Sequence, residues 1–171
     1  MTRTRAVCVA ALAAVLALAA CSKAPEALLA DARSAADRGD YRTAGIQLRS
    51  LLKQEPRNLD AVLLFAEVAA AGGNPELAER NYRRAVELGA DARGFWRPWV
   101  DVLISLRRYE DAIARLDASA TSDVPAERAT ALLRRARALR GLGRPADAET
   151  VLRDAAQLAP ADAAIHVELA G

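Results

Sequence analysis

The stretch GDYRTAGIQLRSLLKQEPRN, from Gly39 to Asn58, starts with a tight turn and continues with leucines on one face of a helix. When the chain is aligned on this turn, four alanines fall into register at intervals of 34, 34 and 36 residues: Ala44, Ala78, Ala112 and Ala148. An internal period of this length is typical of a solenoid in which each repeat is one helical hairpin. The fold can therefore be derived from this stretch and its three copies.

Each copy has the same layout, in which a helix, a short turn and a second helix follow one another. The small alanine stands near the start of the second helix, where two helices must approach closely. Side chains four and seven residues later lie on one helical face and form a packing stripe. The stripe consists of Leu48 and Leu51, Tyr82 and Ala85, Leu116 and Ser119, and Leu152 and Ala155. This period and layout are those of the tetratricopeptide repeat (TPR).

The turns divide the chain into four units. They are Gly39-Asp40-Tyr41, Gly73-Asn74-Pro75, Arg107-Arg108-Tyr109 and Gly143-Arg144-Pro145. The units cover residues 25–58, 59–92, 93–126 and 129–162, with a two-residue insertion at 127–128, and residues 163–171 begin a fifth unit or form a short cap. We therefore predict an all-α fold, a TPR solenoid of helical hairpins that winds into a right-handed superhelix.

The third unit departs from the pattern at its start. Gly94 and Pro98 fall inside its first helix, and proline is tolerated only in the first turn of a helix. We therefore expect this helix to begin late, near Arg97, after a bent entry segment. Three aromatic residues are expected to fill the gap between units, with a binding role as the alternative: Phe95, Trp96 and Trp99.

The first twenty residues have the layout of a secretory signal peptide. Arg3 and Arg5 precede an unbroken apolar segment from Ala6 to Ala20. A basic region before a short apolar region is typical of such signals. The apolar segment is shorter than the roughly 20 residues that a membrane-spanning helix needs, so a permanent transmembrane anchor is the weaker interpretation.

The end of this segment resembles a bacterial lipobox, which here consists of Leu18, Ala19, Ala20 and Cys21. In that motif the cysteine becomes the first residue of the mature chain and carries the lipid. The resemblance implies a signal peptide at residues 1–20, a lipidated tether at 21–24, and attachment to the periplasmic face of a membrane. Ser22 in the second position implies the outer membrane of a bacterium with two membranes. The alternative is a cysteine beside an ordinary cleavage site.

Loss of residues 1–20 would leave a mature chain without net charge. The full chain has 24 basic and 22 acidic side chains, and Arg3 and Arg5 are the two basic residues in the lost segment. A neutral chain favours no nucleic-acid partner. Cys8 would be removed as well, so Cys21 would remain without another cysteine for an intramolecular disulfide.

The sequence offers little for catalysis or for binding a cofactor. His166 is the single histidine, so any catalytic dyad, triad or histidine metal site would have to be built on it. Glycines mark turns, and no phosphate-binding glycine motif is present. We therefore predict a protein that is not an enzyme and that holds neither a metal nor a cofactor.

A TPR solenoid offers an extended concave surface for protein or peptide segments. The TPR resemblance implies that the first helix of each unit lines this surface, and the charged candidates there are Arg33, Glu67, Arg97, Asp101, Arg137 and Arg140. The arginines could pair with carboxylates of an extended partner, because guanidinium groups bind carboxylates through parallel hydrogen bonds. The alternative is that they only solvate a helical face. The Lys and Asn pattern of the chaperone-tail carboxylate clamp is not reproduced.

The lipobox and the array together resemble a narrower family. The matching segments are GDYRTAGIQLRSLLKQEPRN (39–58), GGNPELAERNYRRAVELGAD (72–91) and RRYEDAIARL (107–116). They are similar to the N-terminal part of the TPR-repeat lipoprotein of PEP-CTERM and exosortase systems. The resemblance implies a non-catalytic scaffold in exopolysaccharide export and the linked protein sorting. One alternative is an outer-membrane TPR lipoprotein that assists type IV pilus secretin or barrel assembly. Another is the N-terminal part of a longer enzyme.

Overall fold

The computed structural model describes residues 23–119 and 122–170. These residues form nine α-helices and one 3-10 turn, without a β-strand among them, so the all-α prediction is confirmed. Within the same ranges, none of the helices combines the length and the apolar composition that a membrane crossing requires. The helices are α1 (Pro25–Asp37), α2 (Tyr41–Gln54), α3 (Leu59–Ala71), α4 (Pro75–Glu87), α5 (Trp96–Ser105), α6 (Tyr109–Ser119), α7 (Pro125–Gly141), α8 (Pro145–Leu158) and α9 (Ala163–Ala170).

Eight of these helices pair as four consecutive hairpins, and α9 packs against α8. The four alanines that were aligned by sequence are fully buried, each at 0% exposure. The stripe that follows them is also buried at every position whose side chain is described, from Leu48 to Ala155. The helical-hairpin solenoid is therefore confirmed, with its core where each second helix crosses the first.

The hairpins stack so that the first helices form one layer. Each of α3, α5 and α7 contacts the first helix of the unit before it, whereas the second helices contact mainly their own partner and the first helix of the next unit. A layer whose helices touch lies on the inner side of a curved stack, and a layer whose helices are further apart lies on the outer side. The first helices therefore line the concave surface.

The third unit begins with a short 3-10 turn at Ala92–Gly94, and α5 starts at Trp96, one residue before the expected position. Pro98 falls in the first turn of α5, where its missing N–H group has no intrahelical partner to lose. Tyr82 of α4 stacks on Phe95 and on Trp99, with ring centroids 5.6 and 6.0 Å apart. Phe95 and Trp99 thus pack between the second and third units, as expected, whereas Trp96 lies beside Arg97 and Arg134 of the third and fourth units.

The predicted insertion at residues 127–128 lies inside α7. This helix begins at Pro125 and has 17 residues, whereas α1 and α3 each have 13. The extra residues therefore lengthen the first helix of the fourth unit at its N-terminal end and do not form a linker.

The turns inside the hairpins share one position at which the backbone is left-handed. Its backbone φ is 77° at Gly39, 76° at Gly73 and 73° at Gly143, all in the left-handed region. The third unit has Arg107 there, with φ of 56°. An L-residue with a Cβ atom pays about 1–2 kcal/mol for this conformation.

Replacing Arg107 with glycine should stabilise the protein by about 1 kcal/mol, because relief of the backbone strain exceeds the added entropy of the unfolded chain. Urea unfolding followed by circular dichroism measures the change. Arg107→Ala keeps the Cβ atom and serves as the control, with a change expected within about 0.5 kcal/mol. Equal stabilisation by both substitutions would show that the arginine side chain, and not the backbone, is the source.

A second glycine is required by close packing. Gly141 ends α7, and a Cβ atom at this position would overlap the ring of Tyr109 at the start of α6. The same contact recurs two junctions earlier, between the first and second units, where a Cβ atom on Gly72 would lie 3.2 Å from the Cβ atom of Tyr41. The tyrosine that begins a second helix therefore rests on the end of the next unit's first helix.

Gly141→Ala should destabilise the protein by about 1–3 kcal/mol, because the Tyr109 ring must leave its packed position. In a Tyr109→Ala background the same substitution should be neutral or stabilising, since alanine exceeds glycine in helix propensity by up to about 1 kcal/mol. Thermal unfolding of the two single variants and the double variant completes this cycle. Equal costs in both backgrounds would contradict the assigned contact.

Candidate functional site

The residues of the predicted lipobox lie outside the described residues. They are Leu18, Ala19, Ala20 and Cys21. The lipidation of Cys21 therefore stays a prediction from the sequence, and the structure bears only on the concave surface that follows the tether.

The predicted groove arginines all pair with carboxylates on the first helix of the next unit. Arg33 of α1 lies 3.8 Å from Asp60 of α3. At the other end, Arg137 and Arg140 of α7 lie 2.7 and 3.0 Å from Glu168 of α9. These ion pairs thus join neighbouring units. A partner's carboxylate could bind the arginines only by displacing Asp60 or Glu168.

The junction between the third and fourth units has the most extensive set of such contacts. Arg97 pairs with Glu127 at 2.7 Å, and Arg134 donates to both oxygens of Asp101 at 2.8 and 2.7 Å. The ring of Trp96 lies near both guanidinium groups, 5.5 Å from Arg97 and 5.7 Å from Arg134. Such cation–π contacts add to the charge pairing and fix both arginines at this junction.

Sequence reasoning missed the partners Glu127, Arg134 and Glu168. The signal that could have found them is the spacing of opposite charges on first helices. Three of these ion pairs join residues that are 30, 31 and 33 positions apart in the sequence, close to one repeat length. Because adjacent first helices run side by side, opposite charges at this spacing face each other.

The junction between α3 and α5 differs from the others, because no ion pair joins the two helices in the part of the chain that the structure describes. A shallow apolar cleft of about 480 Å³ lies there, which we call the central cleft. Its lining residues are Ala70, Gly73, Pro75, Pro98, Asp101, Val102 and Ser105. Glu67, on α3, is exposed one turn before Ala70. The central cleft therefore combines apolar surface with carboxylates.

Tyr82 lies beneath this junction as a fully buried side chain. Burial raises the pKa of its hydroxyl above the ordinary value for tyrosine, and the carboxylates of Glu67 and Asp101 raise it further. The phenol therefore stays neutral at physiological pH and adds no charge to this part of the concave surface.

The single histidine is held by a contact to the backbone. The Nε2 atom of His166 lies 2.7 Å from the carbonyl oxygen of Pro160, so the histidine is held at the end of the array. Among residues 23–119 and 122–170, no three His, Cys, Asp or Glu side chains converge as metal ligands. What the first helices present is an extended surface of charge pairs and apolar contacts, which is suited to binding.

Comparison with solved structures identifies helical-repeat proteins of similar shape. MamA from Desulfovibrio magneticus RS-1 superimposes with a TM-score of 0.75 at 16% identity, over 85% of this chain and 81% of that one. PilF of Pseudomonas aeruginosa gives 0.67 at 23% identity, over 85% of this chain and 66% of that one. YrrB, described as a TPR protein with an unusual peptide-binding site, gives 0.71 at 13% identity, over 91% and 79%.

Sequence comparison gives the family assignment. No curated protein matches the chain significantly in sequence. The model of the tetratricopeptide repeat family matches residues 29–93 and 98–163, which together include most of the four predicted units. The chain therefore belongs to the tetratricopeptide repeat family.

Proposed function

We propose that this protein is a non-catalytic scaffold that is anchored to the periplasmic face of a bacterial membrane and holds segments of partner proteins. Lipidated Cys21 is the anchor, and the concave surface of the first helices is the binding surface. The lipobox at residues 18–21 supports the anchor. The continuous layer of first helices supports the binding surface.

The central cleft is the observation that carries the binding proposal. The neighbouring junctions are occupied by internal pairs, such as Arg33 with Asp60 and Arg97 with Glu127. Between α3 and α5 the apolar surface and the exposed Glu67 remain accessible. An extended segment that places an apolar side chain in the cleft and a basic side chain beside Glu67 matches this chemistry. Arg137 and Arg140 then bind the acidic part of the same segment in exchange with Glu168.

The pathway that we favour is exopolysaccharide export and the linked PEP-CTERM sorting, on the resemblance of the lipobox and the repeat segments. The second candidate is assistance to the assembly of type IV pilus secretins or outer-membrane barrels, since a lipobox followed by a TPR array suits that role as well. The proteins captured on the concave surface distinguish the two, because the first candidate predicts components of polysaccharide export and the second predicts an outer-membrane channel or barrel.

The Cys21→Ala variant tests the anchor. In a bacterium with two membranes, the wild-type protein should fractionate with membranes and carry the added mass of lipid, because several acyl chains hold a soluble domain at the surface. The variant should be unmodified and should leave the membrane fraction. Intact-mass measurement and fractionation provide the two readouts, with Cys8→Ala as the matched control that keeps the lipid. A soluble, unmodified wild-type protein would refute the anchor.

A photo-crosslinking residue at position 67 tests the binding surface. It should capture discrete partners in intact cells, whereas the same residue at Arg80, which is exposed on α4, should not.

Reversing the charge of Arg137 and Arg140 together with Glu168→Arg preserves opposite charges within the protein but inverts those that face a partner. This triple variant should reduce capture severalfold while the unfolding temperature stays within a few degrees of wild type. Equal capture at positions 67 and 80, or undiminished capture by the triple variant, would exclude the groove.

A further inference from the structure

A second cleft lies between α4 and α6, on the side of the solenoid opposite to the concave surface. Its floor is the outward side of α5, with Trp99 and Leu103, and its volume is about 300 Å³. We call it the outer cleft. Its remaining lining residues are Glu79, Arg83, Arg108, Asp111, Ala114, Arg115 and Ala118. A ligand held there would not contact the concave surface.

Two of the three arginines in the outer cleft balance its carboxylates. Glu79 has a side chain that is only 6% exposed, and both its oxygens accept hydrogen bonds from Arg83, at 2.8 and 2.6 Å. Arg108 lies 3.0 Å from Glu79 and donates to Asp111 at 2.7 Å. Arg83 and Arg108 thus match the charges of Glu79 and Asp111.

The third arginine has no such partner. The guanidinium of Arg115 lies over the ring of Trp99, 3.9 Å from its centroid, and makes no hydrogen bond or ion pair to the described residues. Residues 1–22, 120–121 and 171 contain no Asp or Glu, so no acidic side chain elsewhere in the chain can pair with it. Burial lowers the pKa of Arg115, and no neighbouring carboxylate opposes that effect. The outer cleft therefore carries one unmatched positive charge.

The indole of Trp99, beneath Arg115, also has a polar atom without a partner among the described residues. Its Nε1 atom is buried and donates to no acceptor among the described residues. The buried hydroxyl of Tyr82, whose ring stacks on Trp99, likewise has no partner among these residues. The repeat itself does not require the neighbouring cation. One unit earlier, Asn81 takes the position of Arg115 and donates to the carbonyl of Leu77 at 2.8 Å.

We propose that the outer cleft binds an acidic side chain of a partner protein together with the apolar residue beside it. Arg115 presents a planar fork to the carboxylate, and the exposed Ala114 and Ala118 on α6 provide apolar surface for the neighbouring side chain. One unmatched guanidinium suits a singly charged carboxylate. A phosphate group with a charge of about −1.5 to −2 would exceed the single unmatched positive charge of the outer cleft. The outer cleft is thus a second binding site, independent of the proposed concave groove.

The two tryptophans of the chain allow a direct test by nuclear magnetic resonance. The full chain carrying Cys21→Ala is titrated with the peptide acetyl-Leu-Glu-Leu-amide, and the matched control peptide has Gln in place of Glu. Trp96→Phe assigns the indole N–H resonance of Trp99. This resonance should shift with the Glu peptide and not with the Gln peptide.

Substitutions at Arg115 link that shift to the proposed contact. Arg115→Met keeps an unbranched side chain over Trp99 and removes the charge, so the apparent affinity should fall about tenfold or more. Arg80→Met removes an exposed arginine from the same face of the solenoid and should have no effect. If Arg115→Met fails to fold, Arg115→Lys replaces it, with a severalfold loss expected because the ammonium lacks the planar fork.

Three results would overturn the proposal. One is an equal shift with the Glu and Gln peptides, and another is unchanged affinity after the Arg115 substitution. The third is saturation of the Trp99 resonance by inorganic phosphate at lower concentration than by the Glu peptide, which would indicate a phosphate site. None of these results bears on crosslinking at position 67, so the failure of one site is distinguishable from the failure of the other.

Discussion

The structure depends on the close approach of two helices at a single small residue, repeated four times. Ala44, Ala78, Ala112 and Ala148 are completely buried where the second helix of each hairpin crosses the first. A larger side chain at any of them would force the helices apart, because protein interiors have no spare volume. The close packing of each hairpin, from which the array is built, therefore depends on these alanines.

The same alanines explain why the fold could be read from the sequence. Their register located the units, and the stripe from Leu48 to Leu152 located the core. The lengthening of α7 was not predicted. An insertion at the start of a helix and an insertion in a linker have the same pattern of residues. Only the position of Pro125, at the start of the helix, distinguishes the two. The overlap of a Cβ atom on Gly141 with Tyr109 was also missed, since it depends on how two units dock.

The candidate site was predictable in its positions but not in its partners. Charged residues such as Arg97 and Arg137 were correctly placed on first helices, yet their pairing with Glu127 and Glu168 depends on the stagger between neighbouring units. The outer cleft could not be predicted from the sequence for a related reason. An arginine on an exposed helical face is ordinary in sequence, and Arg115 becomes notable only because the fold sets it over Trp99 without a carboxylate nearby.

The contacts that join neighbouring units differ in how they respond to salt. Ion pairs between exposed side chains, such as Arg33 with Asp60 and Arg137 with Glu168, weaken as salt is added, because charges are screened over about 8 Å at physiological ionic strength. The stack of Tyr82, Phe95 and Trp99 in the middle is held by apolar contact that salt does not screen. Added salt therefore weakens only the share of the contact between units that these ion pairs supply, while the aromatic stack and the apolar clusters at both ends of the array persist.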